Sequence, residues 1–239
     1  LRGNAASDSY LDQQQILAIA AGWGAEAIHP GYGFLSENSE FARAVTAAGI
    51  RFVGPAADAI AAMGSKARAK QLMAEANVPM LPGYHGEAQD IGVLRDAAAQ
   101  AGYPVLLKAV AGGGGRGLRV VNSADELEEA LAAVQREAKA AFGEQRVLLE
   151  KYLPQARHVE IQVFVDDHGN CVHLHERDCS VQRRHQKLIE EAPAPGLDEQ
   201  TREAMGAAAV RAATSIGYSG AGTVEFLYQQ GEFYFLEMN

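Results

Sequence analysis

Lys108-Ala-Val-Ala-Gly112-Gly-Gly-Gly115-Arg116-Gly117-Leu-Arg-Val-Val121 is the stretch on which the fold turns. Gly112, Gly114 and Gly117 satisfy a formal G-x-G-x-x-G, but in a dinucleotide fold those glycines open a helix. Here they run into Leu-Arg-Val-Val, which has no helical periodicity and reads as a strand. No Lys-Ser/Thr pair follows them, so the segment is not a Walker phosphate loop either. What remains is strand, glycine hairpin, strand, with Lys108 on the entering strand. Protein kinases cover triphosphate in a similar way: glycines let backbone N–H groups approach phosphate oxygens, and a lysine offsets the charge. A linker is the weaker reading, because four adjacent glycines with a basic flank join two β-rich segments.

Towards the N-terminus, helical and extended signals alternate. A helix begins around Leu11, Ile16, Leu17 and Ile19; a strand spans 25–29, a helix 41–48 and a strand 50–53, the pattern of a parallel sheet covered by helices. The turn His29-Pro-Gly-Tyr-Gly33 lies where open α/β sheets place ligands, though a tight turn explains it equally well. Helices over 56–63 and 66–76 follow, then an extended connector from Pro79 to Gly83. Lys66 opens the second helix behind Ser65, a good N-cap. The glycine hairpin is flanked by helices, one over 91–101 and a longer one opening at Ser123-Ala-Asp-Glu126, a capping-box pattern.

Towards the C-terminus, a strand over 146–150 leads into Glu150-Lys151-Tyr152-Leu153, a strand-to-linker junction whose backbone can meet an adenine edge. Beyond Pro154 the chain reads as mostly extended, with alternation at Val159, Ile161, Val163 and Val165 and a hairpin turn at 167–170. His158 and Glu160 fall on the opposite face, which a solvated strand would also explain. The run from Glu176 through Gln182-Arg-Arg-His185-Gln-Lys187 is the densest cationic stretch and suits a small anion or a solvated face. Folding Thr223–Tyr228 against Phe233–Asn239 about Gly231 sets Glu225 opposite Glu237, with Asn239 on the face of Glu237. Carboxylates paired across strands repel unless compensated. A hard cation such as magnesium, held by oxygen ligands, would compensate them.

The chain carries 21 Lys and Arg against 30 Asp and Glu, a net charge of −9, which argues against nucleic acid as a partner. No apolar run approaches the roughly 20 residues of a membrane span. Cys171 and Cys179 match no zinc or redox spacing and read as reduced thiols of a cytoplasmic protein. The segment ending at Asn239 reads as an interrupted strand, and the chain as truncated at both ends.

Together, His29-Pro-Gly-Tyr-Gly-Phe-Leu-Ser-Glu-Asn38, Lys108 with the glycines, Glu150-Lys-Tyr-Leu153, Arg157-His-Val-Glu-Ile-Gln-Val163, Glu176-Arg-Asp-Cys-Ser180, Gln182-Arg-Arg-His-Gln-Lys187 with Glu190-Glu-Ala-Pro-Ala-Pro195, and Glu237-Met-Asn239 resemble the biotin carboxylase family of the ATP-grasp superfamily. The resemblance implies an α/β chain in four parts: the end of a Rossmann-like pre-ATP-grasp domain over 1–63, a helical connector over 64–84, a glycine-rich lid over 85–152, and the first part of the ATP-grasp C-terminal domain over 153–239. It implies that Lys66, Lys108, Gly114, Gly115, Glu150, Lys151, Tyr152, Leu153, His158, His185, Glu225 and Glu237 contact ATP. Glu225, Glu237 and Asn239 would hold Mg2+ or Mn2+, while Lys187, His185 and Glu237 would serve the chemistry on bicarbonate. Biotin would arrive on another domain, a carboxyltransferase subunit would complete an oligomeric parent enzyme, and a eukaryotic version would work in the mitochondrial matrix. Pro82-Gly-Tyr-His-Gly86 is most similar to biotin-containing subunits of methylcrotonoyl-CoA carboxylases. The family's bicarbonate-binding arginine, its basic glutamate, a later arginine and a biotinyl lysine are not in these 239 residues. The segment alone is therefore expected to bind nucleotide weakly and not turn over. A regulatory module without chemistry and another ATP-grasp ligase are the competing readings.

Overall fold

A computed structural model describes residues 1–111, 117–183 and 186–239. The first layer holds α1 (Gln13–Gly22), β1 (Ala27–Ile28), α2 (Ser39–Ala47) and β2 (Arg51–Phe52), with β1 and β2 pairing in parallel. Asp12 and Asn38 cap the two helices through their side chains, satisfying amide donors that lack partners at a helix start. Leu35, Phe41, Val45 and Ile50 form a small core between them. Next come α3 (Ala57–Gly64) and α4 (Lys66–Glu75), separated at Ser65, whose hydroxyl accepts from the Arg68 amide.

The second layer is a four-stranded antiparallel sheet of β3 (Gly83–Tyr84), β4 (Val105–Ala109), β5 (Leu118–Val121) and β6 (Val147–Lys151), ordered β3-β6-β4-β5. It is covered by α5 (Ile91–Ala101) and α6 (Ala124–Phe142), whose Leu94, Ala98, Leu127, Leu131 and Val134 bury against Val105, Leu107 and Leu149. Gly117 closes the β4–β5 hairpin at φ +70°, where a Cβ would lie 2.7 Å from that of Ala109. The position tolerates no side chain. The capping-box reading of α6 needs correction. Ser123 makes no side-chain cap bond, and Glu126 instead takes the Asn122 amide at 2.9 Å, one residue earlier than the pattern prescribes.

The third layer is a five-stranded antiparallel sheet, β11-β10-β7-β8-β9, made of β7 (Arg157–Val165), β8 (Cys171–Arg183), β9 (Gln186–Glu191), β10 (Gly220–Gln229) and β11 (Glu232–Met238). One face packs on α7 (Glu199–Ser215). The expectation of a mostly extended chain beyond Pro154 missed this helix. Its alanines Ala208, Ala209, Ala212 and Ala213 are fully buried, so α7 lies close on the sheet with little apolar bulk to advertise it in sequence. Val159, Ile161, Val163 and Val165 point to α7, which by strand alternation turns His158, Glu160 and Gln162 to the other face. Met73 of α4 and the following Val78 join this core, so α4 belongs to the five-stranded layer although its N-terminus reaches the second sheet.

Candidate active site

Glu225 and Glu237 face each other across the β10–β11 ladder, as the sequence pattern requires. The strands are joined through Gln230 and Gly231, both at positive φ, the two-residue turn whose twist suits a tight hairpin. Glu225 is 2% exposed. His158 Nε2 lies 2.6 Å from its Oε2, Lys187 Nζ donates to Oε1 at 2.7 Å, and Asn239 Nδ2 donates to Oε1 at 2.8 Å. Burial pushes the Glu225 carboxyl up, but His158 and Lys187 outweigh it and hold the group below its ordinary value. Lys187 bridges to Glu160 as well. Burial works against its ammonium, yet the two carboxylates raise its pKa overall.

Glu160 is 3% exposed and also takes Arg177, so the face it shares with His158 is not a solvated one. Gln182 fixes the imidazole. Its Nε2 donates to the Cys179 carbonyl and faces His158 Nδ1, each at 2.7 Å, which leaves Nε2 as the protonated nitrogen towards Glu225. Glu237 differs from Glu225: its carboxyl sits at the rim, open to solvent on one side. Crowding by the protein and then the Glu225 charge raise its pKa. His158, Gln182, Lys187, Glu225, Glu237 and Asn239 line one cleft of about 610 Å³.

A second cluster surrounds Glu150, which is 0% exposed. Its Oε2 lies 2.5 Å from Lys108 Nζ, while its Oε1 meets Lys70 Nζ and, at 3.1 Å, His85 Nε2. Burial pushes the carboxyl up, and the His85 hydrogen bond with the Lys108 and Lys70 charges overcomes this, holding it well below the usual range. Lys66 connects the two clusters. Burial and then the Lys108 charge lower its pKa, and Glu237 and Glu150 pull it back.

The junction after Glu150 is fastened on both sides. Lys151 Nζ donates to the carbonyls of Gly102 and Tyr103 at 2.8 Å each. The Lys151 amide donates to Pro82 O at 2.8 Å and the Tyr152 amide to Pro104 O at 3.0 Å. Neither proline has an N–H to return, so the ladder leaves the Lys151 and Tyr152 carbonyls without a donor from the opposite strand.

Of the residues expected from sequence, His158, Lys187, Glu225, Glu237 and Asn239 thus share one cleft, and Lys66, Lys108 and Glu150 form the adjoining cluster. Gly114, Gly115 and His185 lie outside the described residues. Lys70, His85, Gln182 and Arg177 carry no site assignment from sequence, although Lys70 stands four residues after Lys66, on the same helix face.

Residues 65–239 match the family described as the carbamoyl-phosphate synthase L chain ATP-binding domain, and residues 1–60 match the biotin carboxylase N-terminal domain. The chain belongs to this ATP-binding family, in its biotin carboxylase branch. It is 60% identical over 236 residues to the mitochondrial methylcrotonoyl-CoA carboxylase subunit alpha of Dictyostelium discoideum, covering 98% of this chain and 34% of that protein. It is 56% identical to the biotin carboxylase of Haemophilus influenzae, covering 97% of this chain and 52% of that protein. The biotin carboxylase domain of the 2-oxoglutarate carboxylase of Hydrogenobacter thermophilus, solved with MgADP, ADP and bicarbonate, superposes with a TM-score of 0.90 at 48% identity, over 100% of this chain and 53% of that one. The chain therefore spans about a third to a half of these relatives. The ATP-grasp architecture agrees with the expectation from sequence. Among the described residues, no helix is long and apolar enough to cross a membrane.

Proposed function

We propose that this chain is the nucleotide-binding part of a biotin carboxylase, which activates bicarbonate with ATP and passes the carboxyl group to biotin carried on another domain. The observation that carries the reading is a pair of adjoining poles of opposite charge. Among the described residues, Lys70 and Lys108 outnumber Glu150 on one side, and Glu160, Glu225 and Glu237 outnumber Lys187 and Arg177 on the other. A triphosphate with its metal matches both. One of the Lys151 and Tyr152 carbonyls, spared by Pro82 and Pro104 and pointing to opposite sides of the strand, would accept from an adenine amine.

Glu225, Glu237 and Asn239 fit a hard divalent cation. Asn239 spends its amide N–H on Glu225, leaving Oδ1 as an oxygen ligand beside two carboxylates, one of which has its pKa raised by desolvation and then by the charge of the other. Bound there, Mg2+ or Mn2+ supplies charge neutralisation for phosphoryl transfer. In the reaction, a bicarbonate oxygen attacks the γ-phosphorus, the bond to the β-phosphate oxygen breaks, and ADP leaves with carboxyphosphate formed. Lys187 stays an ammonium and holds the incoming anion; Lys66 and Lys108 receive the charge that develops on the phosphates. Gly114, Gly115 and His185 complete the nucleotide contacts. The 60% identity to a methylcrotonoyl-CoA carboxylase subunit favours that acyl-CoA as final acceptor, with a carboxyltransferase subunit as partner. The two free thiols suit a reducing compartment, the cytoplasm or a mitochondrial matrix.

The test is ATP cleavage by the full-length protein with free biotin. Cleavage should depend on bicarbonate. ATP binding without stimulation by bicarbonate or biotin would instead favour a regulatory module.

A further inference from the structure

Glu150 joins two parts of the molecule. Its strand β6 belongs to the four-stranded sheet, whereas Lys70 stands on α4, whose Met73 is fully buried in the core of the five-stranded layer. The Lys70–Glu150 ion pair therefore bridges the two layers, and it does so in a dry setting, with Lys70 6% exposed. His85, just beyond β3, reaches the same carboxylate oxygen from the lid side. Both take Oε1, and Oε2 is left to Lys108.

A carboxylate this deeply buried demands compensation. If Lys108 had to supply all of it, its charge would be spent on Glu150 and little would remain for a phosphate. With Lys70 sharing the load and His85 beside it, two lysines stand against one glutamate, and Lys108 keeps positive charge towards the cleft. We propose that Lys70, seconded by His85, is a positioning residue for the nucleotide: it neutralises Glu150 from the body of the protein, which frees Lys108 for phosphate and fixes the lid hinge to α4. This rests on the nucleotide reading above and adds to it a residue on which that site depends.

The experiment uses the full-length protein and measures MgATP binding by calorimetry together with steady-state constants for ATP and bicarbonate. Lys70→Met should raise Kd and KM for ATP about tenfold or more while kcat changes by less than about threefold and KM for bicarbonate holds. Lys70→Arg, which restores a cation, should recover most of the loss, and His85→Gln should move KM for ATP in the same direction by about threefold. A lower melting temperature with unchanged ATP constants, or a uniform fall in every kinetic constant, would show a merely structural role and overturn the proposal. Should Lys70→Met fail to fold, His85→Gln decides: a rise confined to the ATP constants supports positioning, and no rise refutes it. A wild type that cleaves ATP in response to bicarbonate, beside variants that bind MgATP equally well, sinks the positioning role alone. A wild type that does not bind MgATP sinks both readings.

Discussion

The Glu150 cluster and the Glu225 cluster use the same chemistry, carboxylate against cation, to different ends. Around Glu150 one fully buried carboxylate meets Lys70, Lys108 and His85, and the negative charge is answered from three sides. Around Glu225 two buried carboxylates share Lys187, Arg177 holds Glu160 from the side, and Glu237 is left at the rim with its pKa raised. The first cluster satisfies its carboxylate and, on the reading proposed above, keeps lysine charge for the neighbouring cleft. Among the described residues, the second is short of positive charge at its edge, the signature of a site that completes itself with a ligand. Substitutions should therefore separate them: removing the Glu150 carboxylate should appear first as lost stability, removing a charge around Glu225 as lost chemistry.

The largest effect is expected at Glu150. Glu150→Ala strands Lys70 and Lys108 in the interior without a counter-charge, and breaking a buried pair from one side costs about 3–5 kcal/mol. Thermal denaturation of the full-length protein should show a melting temperature lower by about 10 °C or more. Retention of the wild-type value would mean that water already reaches the pocket, and the contrast between the two clusters would fail.

Lys187 tests the other side. Lys187→Met should lower bicarbonate-dependent ATP cleavage roughly 10²–10³-fold, the scale of losing one preorganised charge aimed at a reacting anion. The pH dependence carries a sign. Two carboxylates raise the folded pKa above the ordinary 10.5, so the contribution of this ammonium to stability is fully present below about 10.5 and disappears only as pH rises through the still higher folded value. The rate deficit should accordingly be constant between about pH 6 and 9. A deficit that closes towards pH 9 would show that Lys187 loses its proton in the working range.

How much of this was legible in sequence follows the same division. The Glu225–Glu237 pairing could be read because strand alternation and a Gly231 turn fix it locally, and the glycine hairpin because its flanks are β-rich. Lys70 and His85 escaped assignment because their partner lies 80 and 65 residues away, on a strand whose position depends on the assembled sheet. For Glu160 a solvated face remained an equal reading because alternation gives its face but not what covers that face; Arg177 and Lys187, from strands β8 and β9, do. Helix α7 escaped because its buried stripe, apart from Thr201 and Met205, is alanine and glycine, too small to stand out from a polar background. Local rules thus recovered the Glu225–Glu237 pair, and long-range charge pairing concealed Lys70 and His85.

The smallest effect should have the opposite sign. Desolvation by the surrounding protein and then the Glu225 charge across the ladder penalise the charged form of Glu237 in the folded protein, so its pKa lies above the usual 4.5. That penalty is absent below about pH 4.5, where the unfolded chain is protonated too, and it is fully felt once pH exceeds the raised folded value. Without added metal, Glu237→Gln should therefore raise the melting temperature of the full-length protein by about 1–3 °C near pH 8, a small gain because the group is partly solvated, and by nothing near pH 4. Added Mg2+ should stabilise the wild type further and leave the variant almost unmoved, since the variant lacks one of the carboxylates that would bind the cation. A variant less stable than wild type at pH 8 would mean that Glu237 is satisfied by the protein itself. A variant as responsive to Mg2+ as wild type would move the cation elsewhere. Either result would erase the difference between the two clusters, because the acidic edge of the cleft would then be as self-sufficient as the pocket around Glu150.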